Sequence, residues 1–421
     1  MASLQISQPL TLPSGLELPN RLVKAAMAEA LNKDGLPSSP AFQGAYSVWA
    51  TGGWGLVQTG NVQIDQRFLG QAGDVALLDD EAAMMPSWKA WAAACKGAAG
   101  GSPTVVQINH PGRQSPLGAG SRGFFDKTLA PSAVPLQLGR GWLSKLMSTV
   151  LFGTPRAMSE AEIADVVRRF AATARISAEA GFDGVEIHAA HGYLLAQFLS
   201  ASTNKRTDAY GGDAVKRARI VVDVVQAMRA ATPAGFTIGI KLNSVDHQSE
   251  HELAECIEQL RVIVDAGIDF VEVSGGSYED PKMFAQQATH GDEKPAGQVS
   301  ARTKAREAFF LDFARAIRSQ FAHVPLMVTG GFLTRSGMDA AVAEGGCDLV
   351  GIGRAAVLDP LLPSRVILNA EVKDEDAKVY RKEIEAPWLA KKMGAGVGAG
   401  AISVWYSKKI GEMWSLLSGS S

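Results

Sequence analysis

Residues 184–193, GVEIHAAHGY, decide how this chain is read. They form a short apolar alternating run that stops abruptly in His188, His191 and Tyr193. A strand of this kind needs partners on both sides, and the preceding residues show how they are supplied. Ser159 and Glu162 make an SxxE capping box ahead of IADVVRRFAATARISAEAG, and Gly181 supplies the stop, so a helix leads into the strand. The same unit recurs in both directions. Strand-like runs are RLVKAAM (21–27), GLVQTGN (55–61), TVVQINH (104–110), GVEIHAA (184–190), TIGIKLN (237–243), FVEVSGG (270–276), PLMVTGG (325–331) and LVGIGR (349–354). Helical patterns lie between them at 80–97, 213–230, 250–266, 302–320 and 336–345, with Pro86 either starting or interrupting the first of these. Strand followed by helix, eight times over, predicts a parallel sheet closed into a (β/α)8 barrel, an α/β fold.

The length of 421 residues suits one elaborated barrel over 1–373. About 45 residues rich in Gly, Pro and Ser, within 111–158, separate the third strand from its helix and predict an active-site lid. Residues 374–421 fall outside the repeat and read as a helical extension: a helix over VYRKEIEAPWLAKK, a glycine-alanine tract and a Trp-Tyr tail. That extension is expected to pack on its own barrel or to join a second subunit as a homo-oligomer.

A formal charge of −2 offers no electrostatic footprint for nucleic acid. Three scattered cysteines, Cys95, Cys256 and Cys347, contain no CxxC pair, which excludes an iron–sulfur cluster and implies neither disulfides nor zinc. The first residues lack a secretory pattern, and the longest apolar run, Met393–Tyr406, falls short of the roughly 20 residues of a membrane span. The expectation is a cytoplasmic protein with no transmembrane span.

Barrel chemistry sits where strands end, so the terminating residues are the candidates. The pairs Gly330–Gly331 and Gly353–Arg354 follow the seventh and eighth strands, where glycines admit an anion to backbone N–H groups and an arginine adds a fork. Either pair alone reads as an ordinary turn; together they predict a phosphorylated ligand. His188 and His191 can donate to a substrate oxygen that gains negative charge, and Tyr193 offers a phenolic proton. A metal held with Glu186, or purely structural histidines, are the alternatives. Lys241 requires an anionic partner, Asp246 or Glu186 by this reading, unless a ligand supplies it. Gln107 suits the edge of a heterocycle.

These residues resemble the old yellow enzyme family of FMN-dependent NADH:flavin oxidoreductases. The segments that carry the resemblance are GFDGVEIHAAHGYLLAQFLS with TNKRTDAYGG, QINHPGR, APSAVPL and PRAMSEAEI, and it extends from LPNRLVKAAM to IGRAAVLDP. The resemblance implies a barrel holding FMN, reduced by NADH or NADPH, that reduces the activated C=C bond of an enone-like small molecule. By position it implies that Ala26, Met27, Ala28, Thr59 and Gln107 line the isoalloxazine and that Lys241 approaches N1 and the C2 carbonyl. Gly330, Gly331, Gly353 and Arg354 would take the phosphate. His188 and His191 would bind the substrate oxygen, and Tyr193 would protonate the α-carbon.

Lys241 stands where many members of the family carry arginine, Ala28 where they place threonine or cysteine, and Ala30 where some place tyrosine. RTDAYGG, with Arg206 and Asp208, reads as a structural network. Two other readings share the barrel: a secondary-metabolism reductase or isomerase, and a flavin-binding scaffold without catalysis.

Overall fold

The computed structural model describes residues 4–97, 100–139, 141–243, 250–274, 314–380, 382, 384 and 395–415. All eight expected runs are strands: β1 (Leu22–Lys24), β2 (Leu56–Gln63), β3 (Thr104–Asn109), β4 (Gly184–Ala189), β5 (Thr237–Asn243), β6 (Phe270–Ser274), β7 (Leu326–Thr329) and β8 (Leu349–Ile352). Each pairs in parallel with its sequence neighbours, and β8 returns to pair with β1, so the sheet closes. A short strand, Val75–Ala76, adds to the end of β2 outside the ring.

Alternation along each strand sorts the side chains into two environments. Outward residues such as Val57, Val106, Val185, Ile187, Val271 and Val350 join the large apolar layer under the helices. Inward residues do two jobs. At the barrel floor Val23, Leu56, Val105, Phe270, Met327 and Leu349 make a second apolar cluster. It is sealed from below by an N-terminal hairpin of Leu10–Thr11 and Glu17–Leu18, through Leu12 and Leu18. Above that floor the inward positions turn polar: Gln58, Gln107, Glu186, Lys241 and Glu272 are all buried. Barrel interiors are ordinarily filled by branched apolar residues, so a polar middle layer points upward to a site.

The helices follow from local signals. Glu81–Lys96 runs through Pro86, its first turn capped by the Asp80 carboxylate accepting from Ala83 N–H at 3.0 Å. Glu160–Ala180 has the full capping box and ends at Gly181, whose φ of 102° is the left-handed stop. In the excursion after β3, strands Leu129–Ala130 and Arg156–Ala157 pair and Trp142–Leu151 is a helix. The Arg206–Asp208 pair lies at its base. Arg206 also donates to the Pro131 carbonyl at 3.2 Å and the Met158 carbonyl at 2.6 Å, so RTDAYGG is the structural tie it was read as.

Val379 and Tyr380 are not helical, and most of the rest of the helix expected over VYRKEIEAPWLAKK lies outside the described residues. A helix instead occupies Ala395–Glu412, from the glycine-alanine tract into the aromatic tail. Glycine disfavours helix, but Ile402, Tyr406, Ile410 and Met413 share one buried face, and this tertiary burial overrides propensity. The helix lies on Pro40–Ala50 and Arg354–Leu358 of its own barrel. Among the described residues, no helix is long and apolar enough to cross a membrane.

Candidate active site at the C-terminal rim

The residues that close β4 form the centre of the site. His188 points inward from the strand, and the chain then turns sharply because His191 (φ 57°) and Gly192 (φ 72°) both take left-handed backbone. For a non-glycine residue that conformation costs roughly 1–2 kcal/mol. The surroundings that hold it are specific: His191 N–H donates to Asn243 Oδ1 at 3.0 Å, and Gln114, from the excursion, donates to the His191 carbonyl at 2.9 Å. Tyr193 then starts the helix Leu194–Leu199.

This turn stacks three rings. The His188 ring meets His191 edge-on at 4.9 Å and Tyr193 at 4.8 Å. Hydrogen bonds fix the tautomers. Ala190 N–H donates to His188 Nδ1 at 3.2 Å, which leaves the His188 proton on Nε2, directed at His191 Nδ1 at 3.2 Å. His191 therefore carries its proton on Nε2, facing Ser274 Oγ at 3.1 Å. Burial, reinforced by the other ring and by Lys241, holds His188 well below the ordinary histidine range. Burial and then the Lys241 charge bring His191 down to about 3. Both imidazoles are neutral donors at pH 7.

Lys241 lies beside His188 in the β4–β5 register. Its expected partner needs correction. Asp246 lies outside the described residues, and the ion pair is made instead with Glu272 on β6, Nζ to Oε1 at 2.6 Å, with both side chains buried. Register explains the choice, because Lys241 and Glu272 are directly paired positions on β5 and β6. Burial alone would lower the lysine; the charges of Glu272 and then Glu186 outweigh it and keep Lys241 above its ordinary value. Gln107 donates to Glu186, and its backbone N–H donates to Thr59 Oγ1 at 3.0 Å.

Ala26, Met27 and Ala28 follow β1. Ala26 N–H donates to Gln58 Oε1 at 3.1 Å. The Ala28 carbonyl accepts from Ser407 Oγ of the C-terminal helix at 2.8 Å. Met27 reaches across to β8: a Cβ on Gly353 would stand 3.3 Å from its sulfur. Gly330 and Gly331 have φ of 97° and 89°, and nothing lies within 4 Å of where a Cβ on either would be. Gly330 N–H is bonded to the Gly351 carbonyl of β8 at 3.2 Å, which carries the β7–β8 pairing to the start of the seventh loop. Arg354 opens the short helix Arg354–Leu358, and its burial lowers its pKa, opposed by nearby Tyr406.

His188, His191, Tyr193 and the loops after β1, β7 and β8 thus lie at the C-terminal ends of the strands, while Gln107, Lys241 and Thr59 sit within the strands below. What sequence reasoning missed is the layer beneath and behind the rim. Gln58 Nε2 donates to Glu186 Oε1 at 2.7 Å and to Glu272 Oε2 at 2.8 Å. Behind β1, Lys24 donates to the Gln58 carbonyl at 2.8 Å and sits 4.1 Å over the Trp49 ring, with burial lowering its pKa to about 8. Glu29 accepts from Tyr46 and from Gly60 N–H. The available signal was a charged residue inside an apolar strand run, as in RLVKAAM and FVEVSGG.

The chain matches the NADH:flavin oxidoreductase / NADH oxidase family over residues 5–372. It is 46% identical over 397 residues to an NADH-dependent flavin oxidoreductase of Hypocrea jecorina, covering 94% of this chain and 96% of that protein. An NADH-dependent flavin oxidoreductase of Neonectria sp. is 51% identical over 405 residues, which is 94% of this chain; the chain spans only 52% of that relative's length. Among solved structures, morphinone reductase in complex with tetrahydroNAD superimposes with a TM-score of 0.67 at 25% identity, covering 89% of this chain and 93% of that one. A closed eight-stranded barrel whose rim gathers these side chains, together with a family match over most of the sequence, makes this chain a member of the NADH:flavin oxidoreductase / NADH oxidase family, the FMN-dependent old yellow enzyme group.

Proposed function

We propose that this chain is an FMN-dependent reductase that takes reducing equivalents from NADH or NADPH and saturates the activated C=C bond of an enone-like small molecule. The observation that carries the reading is the convergence, at one rim, of two neutral imidazoles, a phenol, a buried lysine and two glycine-bearing loops. The NADH dependence stated for the Hypocrea and Neonectria relatives favours NADH as the reductant.

The residues present fit FMN. Gly330 and Gly331 leave an open cradle in left-handed backbone where side chains would crowd an anion, and Arg354, which opens the helix after β8, would supply a charged donor. Ala26, Met27, Ala28, Thr59 and Gln107 would line the flavin ring, and Lys241 would supply a positive charge to it. Bound there, the flavin supplies the two-electron chemistry that no side chain can.

The protein's own residues do the rest. His188 Nε2–H and His191 Nε2–H are the donors available to a substrate carbonyl oxygen. Such an oxygen would take the place of His191 Nδ1 or Ser274 Oγ as acceptor, and polarising it makes the β-carbon electrophilic. Being neutral, the imidazoles hydrogen-bond without giving up a proton. Tyr193, its ring edge-on to His188, delivers the proton to the α-carbon, which completes addition of H2 across the bond.

The test is anaerobic. The purified yellow protein should bleach with NADH and recover its colour with cyclohexenone. Bleaching without recovery by any enone would overturn the assigned substrate class, and failure to bind FMN at all would favour the scaffold.

A further inference from the structure

Three residues assigned to the flavin share a pair of partners. Gln107 donates to Glu186, Lys241 is ion-paired with Glu272, and Ala26 N–H is bonded to Gln58, whose amide donates to both carboxyl groups at 2.7 and 2.8 Å. Both glutamates are fully buried. One amide bridges them and one lysine neutralises them, so two carboxylates face a single positive charge. Like-charged carboxylates at such separation do not both ionise, and the pair keeps a proton. Burial first, and then the Glu272 charge, raises Glu186, while Lys241 helps hold Glu272 low, which locates the proton on Glu186. The other ionisable groups facing this layer are His188 and His191, both neutral, and Lys24 behind β1, which is offset by Glu29.

As arranged, the charge of Lys241 is already matched by Glu272, so it is not freely available to a ligand that becomes negative. We propose that the Glu186–Glu272 pair is a proton acceptor coupled to reduction of the cofactor, holding one proton in the oxidised protein and binding a second when negative charge arrives beside Lys241. This inference rests on the FMN reading above. The balance is simple. NADH delivers two electrons and one proton as hydride; separately, the Glu272 carboxylate takes one proton from solvent and becomes a carboxylic acid. That releases the Lys241 ammonium to face the reduced, negatively charged cofactor.

The experiment uses the FMN-loaded enzyme, reduced anaerobically with one equivalent of NADH in weak buffer near neutral pH with an indicator dye. The reduced-minus-oxidised infrared difference spectrum is recorded in parallel. Expected are one solvent proton taken up per cofactor bleached and a new protonated-carboxyl band that shifts when glutamate is 13C-labelled. The double variant Glu186→Gln/Glu272→Gln, still binding FMN, should lose both signals, because neither carboxyl of the pair remains to take the proton. Bleaching with no proton uptake and no labelled band would overturn this proposal while leaving the FMN reading intact. So would uptake that persists in Glu186→Gln/Glu272→Gln, since the proton would then reside outside the pair. If that variant does not fold, the labelled band of the unaltered enzyme decides the matter alone. Failure to bleach would reject the underlying reading instead.

Discussion

Replacing His191 with Asn tests whether the imidazole pair is held neutral, on which its role as a donor depends. In the folded protein burial and Lys241 bring the His191 pKa to about 3, against 6.5 for an ordinary histidine. Between those values the unfolded chain binds a proton that the folded chain refuses, so this residue's contribution is complete above pH 6.5 and declines as the pH falls toward 3. Each pKa unit corresponds to about 1.4 kcal/mol. Going from about pH 7.5 to about pH 4.5 crosses some two units of that window, so His191 should cost the unaltered protein about 3 kcal/mol that the Asn variant does not lose. Other shifted groups, Asp74 and His110 among them, are common to both proteins and largely cancel in the comparison. The assay is urea unfolding of both apoproteins by tryptophan fluorescence at the two pH values. Asn keeps an amide donor and acceptor, and at pH 7.5 the unaltered protein should be the more stable. By pH 4.5 the gap should have shifted toward the variant by about 3 kcal/mol. A gap that does not change with pH would mean that His191 charges freely in the native state, and the argument for a neutral donor would be wrong.

Four other outcomes follow from the same geometry. Tyr193→Phe should slow cyclohexenone-dependent reoxidation by about 10²–10⁴-fold while NADH bleaching is little changed, as stopped-flow absorbance will show. Ala28→Thr adds a hydroxyl at the β1 loop and should raise the flavin midpoint potential; an unchanged or lowered potential would refute the tuning role of this position. Gly44→Ala would be stabilising by helix propensity alone, by about 1 kcal/mol. Its Cβ, however, would fall 1.9 Å from a Trp414 ring carbon, so the variant should destabilise the protein and shift Trp414 emission to longer wavelength. Ser407→Ala removes the bond to the Ala28 carbonyl and should lower stability by about 1 kcal/mol, read by urea unfolding.

The barrel was legible because each strand is a short apolar run that ends at its functional residue. TIGIKLN ends beside Lys241 and GVEIHAA beside His188 for the same reason: apolar side chains face the helices while the last inward positions face the rim. Glu272 was not recognised, although FVEVSGG carries it openly, because its value depends on lying opposite Lys241 across β5 and β6. Cross-strand register is a long-range property that no local pattern reports. The C-terminal helix at Ala395–Glu412 was not read for a related reason. Its Gly-Ala start has weak intrinsic preference, and what holds it is a buried face against the Pro40–Ala50 helix, including the close seat of Trp414 on Gly44. The N-terminal hairpin that seals the barrel floor was likewise not read, since its strands are two residues each.

The most direct measurement of the central claim is a crystal structure of the FMN-loaded protein soaked with a simple phenol. The account predicts the phosphate between the Gly330–Gly331 and Gly353–Arg354 loops, the ring system beside Lys241, and the phenol stacked on it with its oxygen hydrogen-bonded to His188 and His191, close to Tyr193. A phenol bound away from the two imidazoles, or a flavin seated elsewhere than this rim, would contradict it.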